Sequence, residues 1–329
     1  VTTQPRVPWQ VKYLALVLIW GSSFLLMKVG LEALTAVQIS ALRILSGAVV
    51  LLGLLFARGG RLPTGARVWG HLLVCGFFLG ALPFTLFALS ETRISSALAG
   101  IGNAATPIAT VLATMAILPG ERATGRRLVA VGVGFLGVIT IMQPWTATDR
   151  PDLVGFSMAL IGGASYGIGW TYNRKFLSGV DLGGLSQPAA TLTSALVLMV
   201  PFVVTWALLQ PEGLAAIWAY DAAGVGDLPW LPLLCVLVLG VVGTGFAYML
   251  QFDVVRGAGP VIGSTITYLI PVVSVLLGVL VLGEHLGPWQ IVGFVIVLGA
   301  AFVINQKPAA RPATDATAST VGEVTTTAR

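Results

Sequence analysis

The chain reads as an all-α, polytopic membrane protein of ten transmembrane helices, built as two five-helix repeats of inverted topology. Composition, the length of the apolar runs and a sentence written twice carry this reading. Hydrophobic residues make up 56% of the 329 and charged residues only 9%. Soluble domains carry about 25% charged residues, because apolar surface on that scale has nowhere else to be buried. Here the charges sit at the edges of apolar runs of about twenty residues, the length at which a helix rising ~1.5 Å per residue crosses ~30 Å of hydrocarbon. Barrel strands are shorter and alternate apolar with polar residues, so they are excluded. The repeated sentence is "TPIATVLATMAILPGE" at 106–121 and "IPVVSVLLGVLVLGE" at 270–284.

In chain order the spans fall at 13–31, 36–57, 68–90, 95–118, 128–145, 153–175, 184–209, 230–253, 260–282 and 288–305. The first follows Lys12 and has no small-x-small cleavage site after it. It is also longer than a signal-peptide core, so it is expected to stay as a helix. Residues 13–145 form the first repeat and 153–305 the second. The segment 306–329, rich in Pro, Ala and Thr, is expected to be a disordered cytoplasmic tail.

Orientation follows from loop lysines and arginines. With the N-terminus inside, almost all of the 18 basic residues fall on the cytoplasmic side. The exceptions are Arg93 and Arg150 outside, and Lys28 and Arg43 within spans. Both termini are therefore expected in the cytoplasm. The net charge of +5 reflects this bias and marks no nucleic-acid partner. Cys75 and Cys235 fall inside spans and read as packing residues. No spacing of His, Cys, Asp or Glu suits a metal, and no cofactor is implied.

One constant offset places Pro107 on Pro271, Val111 on Val275, Leu112 on Leu276, Gly76 on Gly240 and Phe84 on Tyr248. After one extra residue in the first copy, Gly120-Glu121 falls on Gly283-Glu284. A second offset places "IWGSSF" (19–24) on "IGGASY" (161–166). Five helices per copy is an odd number, so the copies enter the membrane from opposite faces. Such repeats are the architecture of secondary transporters, with the site at the repeat interface near the midplane.

"LIWGSSF" (18–24), the two proline-to-Gly-Glu helices and the Gly-rich final helices resemble the drug/metabolite transporter superfamily, specifically its EamA-type exporters. The resemblance spans roughly residues 13–305, with a layout similar to bacterial aromatic amino-acid exporters. It implies a multi-pass protein of the bacterial inner membrane. That protein would export amino acids, aromatic or otherwise apolar, or similar small metabolites, by alternating access. Pro119 and a poorly matched pair of second and seventh spans depart from the simplest pattern.

Two enzyme-like motifs have structural explanations. "GVGFLG" (132–137) matches a dinucleotide fingerprint but lies within an apolar span, without the strand and aqueous helix start the motif needs. "GASYG" (163–167) matches a nucleophile elbow at Ser165, yet it is mid-span, where small residues bring helices together. An intramembrane enzyme acting on a small amphipathic substrate is the rival class. It would need clustered bases or ligands at depth, and none of the 13 acidic residues lies near a span centre. For the same reason the sequence predicts facilitated exchange or uniport rather than proton-driven transport.

The candidate substrate-binding residues are Trp20, Ser23 and Phe24 on span one, Tyr166 and Trp170 on span six, Tyr248 on span eight, and Asn103, Thr267 and Tyr268 beside the prolines. The aromatic residues either pack against core and lipid or line an amphipathic cavity. Small neighbours at Gly162, Gly163, Ser165 and Gly167 leave room beside Tyr166. Pro107 and Pro271 free the carbonyls of Asn103 and Thr267. They act as hinges offering acceptors to an ammonium group, or as packing kinks satisfied by nearby hydroxyls. Arg43 can bind a substrate carboxylate, pair with a carboxylate such as Glu284, or snorkel outward. Lys28 reads as an anchor, and Asp253 as the partner of Arg256. Ten helices suffice to enclose a cavity, so a monomer with a small-molecule substrate in the lipid bilayer is expected.

Overall fold

The computed structural model describes residues 8–118, 125–143, 145, 152–180, 182–221, 230–258 and 260–305. Pro119, Gly120, Glu121 and the tail 306–329 lie outside the described residues. Among the described residues the chain is helical, with no strand. The helices are α1 (Trp9–Gly30), α2 (Ala36–Ala57), α3 (Ala66–Glu91), α4 (Ser96–Ile117), α5 (Gly125–Met142), α6 (Leu153–Leu177), α7 (Ser186–Leu208), α8 (231–258), α9 (Pro260–Leu282) and α10 (Pro288–Asn305). Seven are long and apolar enough to cross a membrane; shorter apolar stretches, Leu128–Met142, Leu269–Leu282 and Pro288–Ile304, lie in α5, α9 and α10.

Local chemistry sets the helix ends. "TAVQ" at 35–38 is a capping box, with Gln38 N–H donating to Thr35 Oγ1 at 3.3 Å and Thr35 N–H to Gln38 Oε1 at 2.8 Å. Gln38 Nε2 also donates to the carbonyl of Ala219 at 2.7 Å, tying the 210–221 loop to the start of α2. Gly59, at φ +69°, closes α2, as Gly60 N–H reaches back to Leu55 O at 2.9 Å. Glycine tolerates that left-handed conformation and stops the helix. Ser95 caps α4 and Asp152 caps α6.

The repeats pack by exchange across a pseudo-twofold axis. α1 lies against α8 and α9, and its counterpart α6 lies against α3 and α4. α2 contacts α7 and α8, α7 contacts α2 and α3, and α5 pairs with α10. Lys12 Nζ meets Asp253 Oδ2 at 2.6 Å, so the start of α1 shares a face with the end of α8. Lys175 Nζ donates to Ile117 O at 2.6 Å, which joins the end of α6 to the end of α4. Short loops make α1 through α4 antiparallel, so the end of α4 lies on the face where α1 begins. α1 therefore enters where α6 leaves, and the topology is inverted. The Lys12 contact gives Asp253 a partner the sequence did not suggest; the expected partner, Arg256, has its side chain outside the described residues.

The outer surface is apolar. Leu18, Val49, Leu136, Leu237, Leu280 and Phe302 are all more than half exposed. A soluble protein does not carry such a surface; in a bilayer it faces lipid. The buried core joins α1, α3, α4, α6, α8, α9 and α10 around Leu16, Phe24, Phe87, Phe156 and Ile266.

Candidate functional site

Two stretches inside the bundle depart from α-helical winding. Phe77–Ala81 in α3 and Val241–Phe246 in α8 wind as π-helix. They occupy equivalent positions of the two repeats, on the offset that pairs Gly76 with Gly240. A π-turn widens the helix and is frequently found at functional sites. Leu79 O accepts the Tyr248 hydroxyl at 3.0 Å, and Gly243 O accepts Trp20 Nε1–H at 3.1 Å. Leu79 and Gly243 are equivalent residues on that same offset. Each repeat thus presents one carbonyl at its π-turn, and an aromatic donor from another helix takes it.

Small residues make this winding fit against the neighbours. A Cβ on Gly47 of α2 would stand 2.8 Å from Thr244 Cγ2, and one on Gly76 of α3 would stand 2.6 Å from Ala195 N of α7. The π-turn of α8 therefore sits on α2, and that of α3 on α7. Thr244 uses its position twice, with its hydroxyl donating to Leu239 O at 3.2 Å and accepting from Arg43 Nε at 3.0 Å.

Arg43 is the centre of the site. It is 6% exposed, and its guanidinium carbon lies 3.8 Å from the centroid of the Phe84 ring. Tyr166, Tyr248 and Glu91 are near enough to interact with its charge. Phe84 and Tyr248 are equivalent positions of the two repeats, so the cation lies at the repeat interface with an aromatic group from each side. Its Nε is held by Thr244, while its two terminal nitrogens have no hydrogen-bond partner among the described residues. A buried guanidinium with its paired N–H groups unengaged has the donor geometry for a carboxylate. The expected alternative, a pair with Glu284, does not form. Glu284 instead accepts from Ser96 N–H at 2.7 Å, Ala97 N–H at 2.9 Å and the Ser96 hydroxyl at 3.1 Å, capping α4.

A row of rings runs beside Arg43. Phe24 meets Phe87 edge-on at 5.3 Å, and Phe87 stacks on Tyr166 at 6.2 Å. The Tyr166 hydroxyl has no hydrogen-bond partner among the described residues. Trp170 packs on a cluster of Leu72, Cys75 and Leu79 that Tyr166 also touches. Ser23 is buried and turns its hydroxyl onto Ile19 O at 3.0 Å. Phe84, Phe87, Thr244 and Glu91 join Arg43 in the candidate site without having been picked out from the sequence. Phe84 carried a signal, its equivalence to Tyr248; the π-turns have no sequence signature beyond flanking glycines.

The room expected beside Tyr166 is filled. Positions for a Cβ on Gly163 and Gly167 lie 2.6 Å from Gly102 O and Thr110 N, and Gly162 faces the Phe87 ring at 3.2 Å. "GASYG" is thus a close helix contact between α6 and α4. Gly137 of "GVGFLG" packs in the same way on α10.

The prolines are not symmetric. α4 breaks at Ala104, just before Pro107. The Asn103 carbonyl freed by that proline lies 2.8 Å from the Thr106 hydroxyl, which is also 2.7 Å from Gly163 O. That single hydroxyl proton is shared between the freed carbonyl and Gly163 O. α9 runs unbroken through Pro271, whose own carbonyl accepts from Ser274 Oγ at 3.0 Å. Thr267 is half-buried, and the side chain of Tyr268 lies outside the described residues.

Two surface grooves, of about 470 and 460 Å³, are lined almost wholly by apolar side chains, between α5 and α10 and between α2 and α8. Arg126 and Ser46 are the polar side chains that line them.

The model of the EamA-like transporter family matches the chain twice, over residues 8–143 and 153–306. An "Uncharacterized inner membrane transporter YedA" of Escherichia coli (strain K12) is 24% identical over 285 residues, covering 86% of each chain. A "Probable amino-acid metabolite efflux pump" of the same strain is 23% identical over 296 residues, covering 88% of this chain and 92% of its own. A solved crystal structure aligns at a TM-score of 0.58 and 20% identity, over 90% of this chain and 95% of the other, which shows a shared fold. With two family matches over nearly all of its helical part, the chain belongs to the EamA-like transporter family.

Proposed function

We propose that this protein is a secondary transporter of the bacterial inner membrane that exports amino acids, aromatic or otherwise apolar, or closely similar carboxylate-bearing metabolites. Arg43 carries the reading: it is a buried cation at the repeat interface, flanked by Phe84 and Tyr248, with its terminal N–H groups unengaged. In the proposed mode those groups hold the carboxylate. Phe84, Phe87, Phe24 and Tyr166 receive the apolar part, and the Tyr166 hydroxyl is available to the ammonium. Two relatives point the same way, one named an inner membrane transporter and the other an amino-acid metabolite efflux pump.

The two repeats rock about this site to give alternating access. The π-turns at 77–81 and 241–246 are the pivots we favour over the prolines, because both are wound apart from the α-helix and lie at equivalent positions. The basic end of the bundle, bearing Lys12, Arg58, Arg61, Arg67 and Lys175, is cytoplasmic in this reading. The solute leaves unaltered.

The test uses purified protein in liposomes loaded with unlabelled amino acids, which exchange against labelled ones. Each charge-assisted hydrogen bond contributes about 1.5–3 kcal/mol. Arg43→Gln should therefore weaken affinity for a carboxylate substrate by roughly 10- to 100-fold and leave its decarboxylated amine unaffected. If no amino acid exchanges, or if Arg43→Gln carries the carboxylate substrate with parental affinity, the reading fails.

A further inference from the structure

Glu91 ends α3 on the face opposite Lys12. It is 0% exposed, and both of its carboxylate oxygens are buried without a hydrogen-bond partner among the described residues. Three charged groups act on it: Lys28 of α1, Arg43 of α2 and Glu284 after α9. None of them hydrogen-bonds to its carboxylate among the described residues. Lys28 Nζ donates to the backbone carbonyls of Glu91 at 2.7 Å and Ile94 at 3.4 Å. Arg43 Nε donates to Thr244, and its ring contact is with Phe84. Glu284 caps α4 through Ser96 and Ala97.

A carboxylate sealed from water with no donor costs several kcal/mol, and a protein avoids that cost by keeping the group neutral. We propose that Glu91 is a proton-binding site, protonated while this end of the bundle is sealed and ionised when it opens. This goes beyond the transport reading and needs no knowledge of the substrate. On ionisation the carboxyl gives its proton to water at the opened face. The carboxylate then draws the Lys28 ammonium away from the Glu91 and Ile94 carbonyls, which uncaps the end of α3 and loosens the 92–95 turn. Resealing requires a proton taken back from water. The sequence-based expectation of transport without protons rested on there being no acidic group at depth. Glu91 lies one residue past the expected end of span three, yet its side chain is sealed.

Infrared difference spectroscopy on the purified full chain reads the proton directly. A neutral-carboxyl C=O band should be present at neutral pH, vanish in Glu91→Gln and persist in Glu284→Gln. Hydrogen exchange, corrected for its intrinsic pH dependence, reads the opening. Protection over 92–97 should fall by about tenfold per pH unit between the titration point of the opened carboxyl and that of the sealed one, the slope for one linked proton. Glu91→Gln should hold its protection at every pH. Should that variant not fold, Glu91→Asp must shift the band frequency of the wild-type chain. Absence of a Glu91 band at neutral pH, or an unchanged pH response in Glu91→Gln, overturns the proposal whatever the liposome assay gives.

Discussion

Tyr248→Phe isolates the hydrogen bond at the first π-turn. The substitution keeps the ring, which is 6% exposed, and removes only the hydroxyl that donates to Leu79 O at 3.0 Å. Hydrogen bonds between membrane helices average about 0.6 kcal/mol and reach about 1.7. An acceptor left buried without a partner costs about 1–3 kcal/mol. The ranges overlap over about 1–1.7 kcal/mol, which is a factor of about 5–18 in the folded-to-unfolded ratio. Thermal unfolding of parent and variant in the same detergent and lipid should show this loss as a lower midpoint. If the π-turns are pivots, the exchange rate in liposomes should change while substrate affinity holds, because the ring itself is kept. Trp20→Phe removes the equivalent bond at Gly243 O, and the double variant should deviate from additivity in rate. Tyr248→Phe with parental midpoint and parental rate would show that Leu79 O is satisfied without the hydroxyl, and the pivot argument would fall with it.

The interface of α6 with α4 admits no side chain. Gly163→Val should abolish monodisperse protein in size-exclusion chromatography, whereas Gly132→Ala, where a Cβ meets nothing within 4 Å, should behave as the parent. Asp152 is held below the ordinary aspartate range, first by the Gly155 N–H at 2.6 Å and then by Arg93. A depressed carboxyl contributes stability that is present above the unfolded value of about 3.9 and lost as pH falls through the lower folded value. The gap in unfolding midpoint between parent and Asp152→Asn should therefore be constant near neutral pH and close below about pH 4.

Helix positions were readable because hydrocarbon allows the chain few choices. Every backbone group must be paired within its own segment, so long apolar runs become helices with boundaries at the first polar residues. The run 36–57 and the run 288–305 were located to the residue, and capping residues such as Thr35 and Asp152 mark starts that any reader of sequence can find. The inverted repeat was legible for the same reason, since one offset carried Gly76, Phe84 and Pro107 together onto Gly240, Tyr248 and Pro271. Rings and glycines alone did not reveal which of them meet. The glycines around Tyr166 read as empty space, but a missing side chain in a membrane bundle is as often filled by a neighbouring backbone, here that of Gly102 and Thr110.

What escaped the sequence was the difference between two symmetric copies. Two prolines at equivalent positions suggested two equivalent hinges. α4 breaks at Ala104, with Thr106 supplying a hydroxyl to the freed carbonyl, while α9 stays continuous through Pro271. The symmetric irregularity lies instead at the π-turns, which follow from how α3 and α8 pack on α7 and α2 and have no residue code of their own. Charge shows the same limit. Arg43 is visible as an oddity inside span two, but charge alone leaves a substrate carboxylate, a pair with Glu284 and an outward reach equally open. Geometry assigns Glu284 to the backbone N–H groups at the start of α4, where a carboxylate is stabilised by the helix terminus. Arg43 is left facing rings and a hydroxyl, none of which cancels its charge. Among the described residues the bundle buries a cation without a direct carboxylate partner and a carboxyl without a donor at Glu91, and on the reading proposed above their partners come from outside the fold. A solute carboxylate for Arg43 and a proton for Glu91 are the simplest pair that meets both needs.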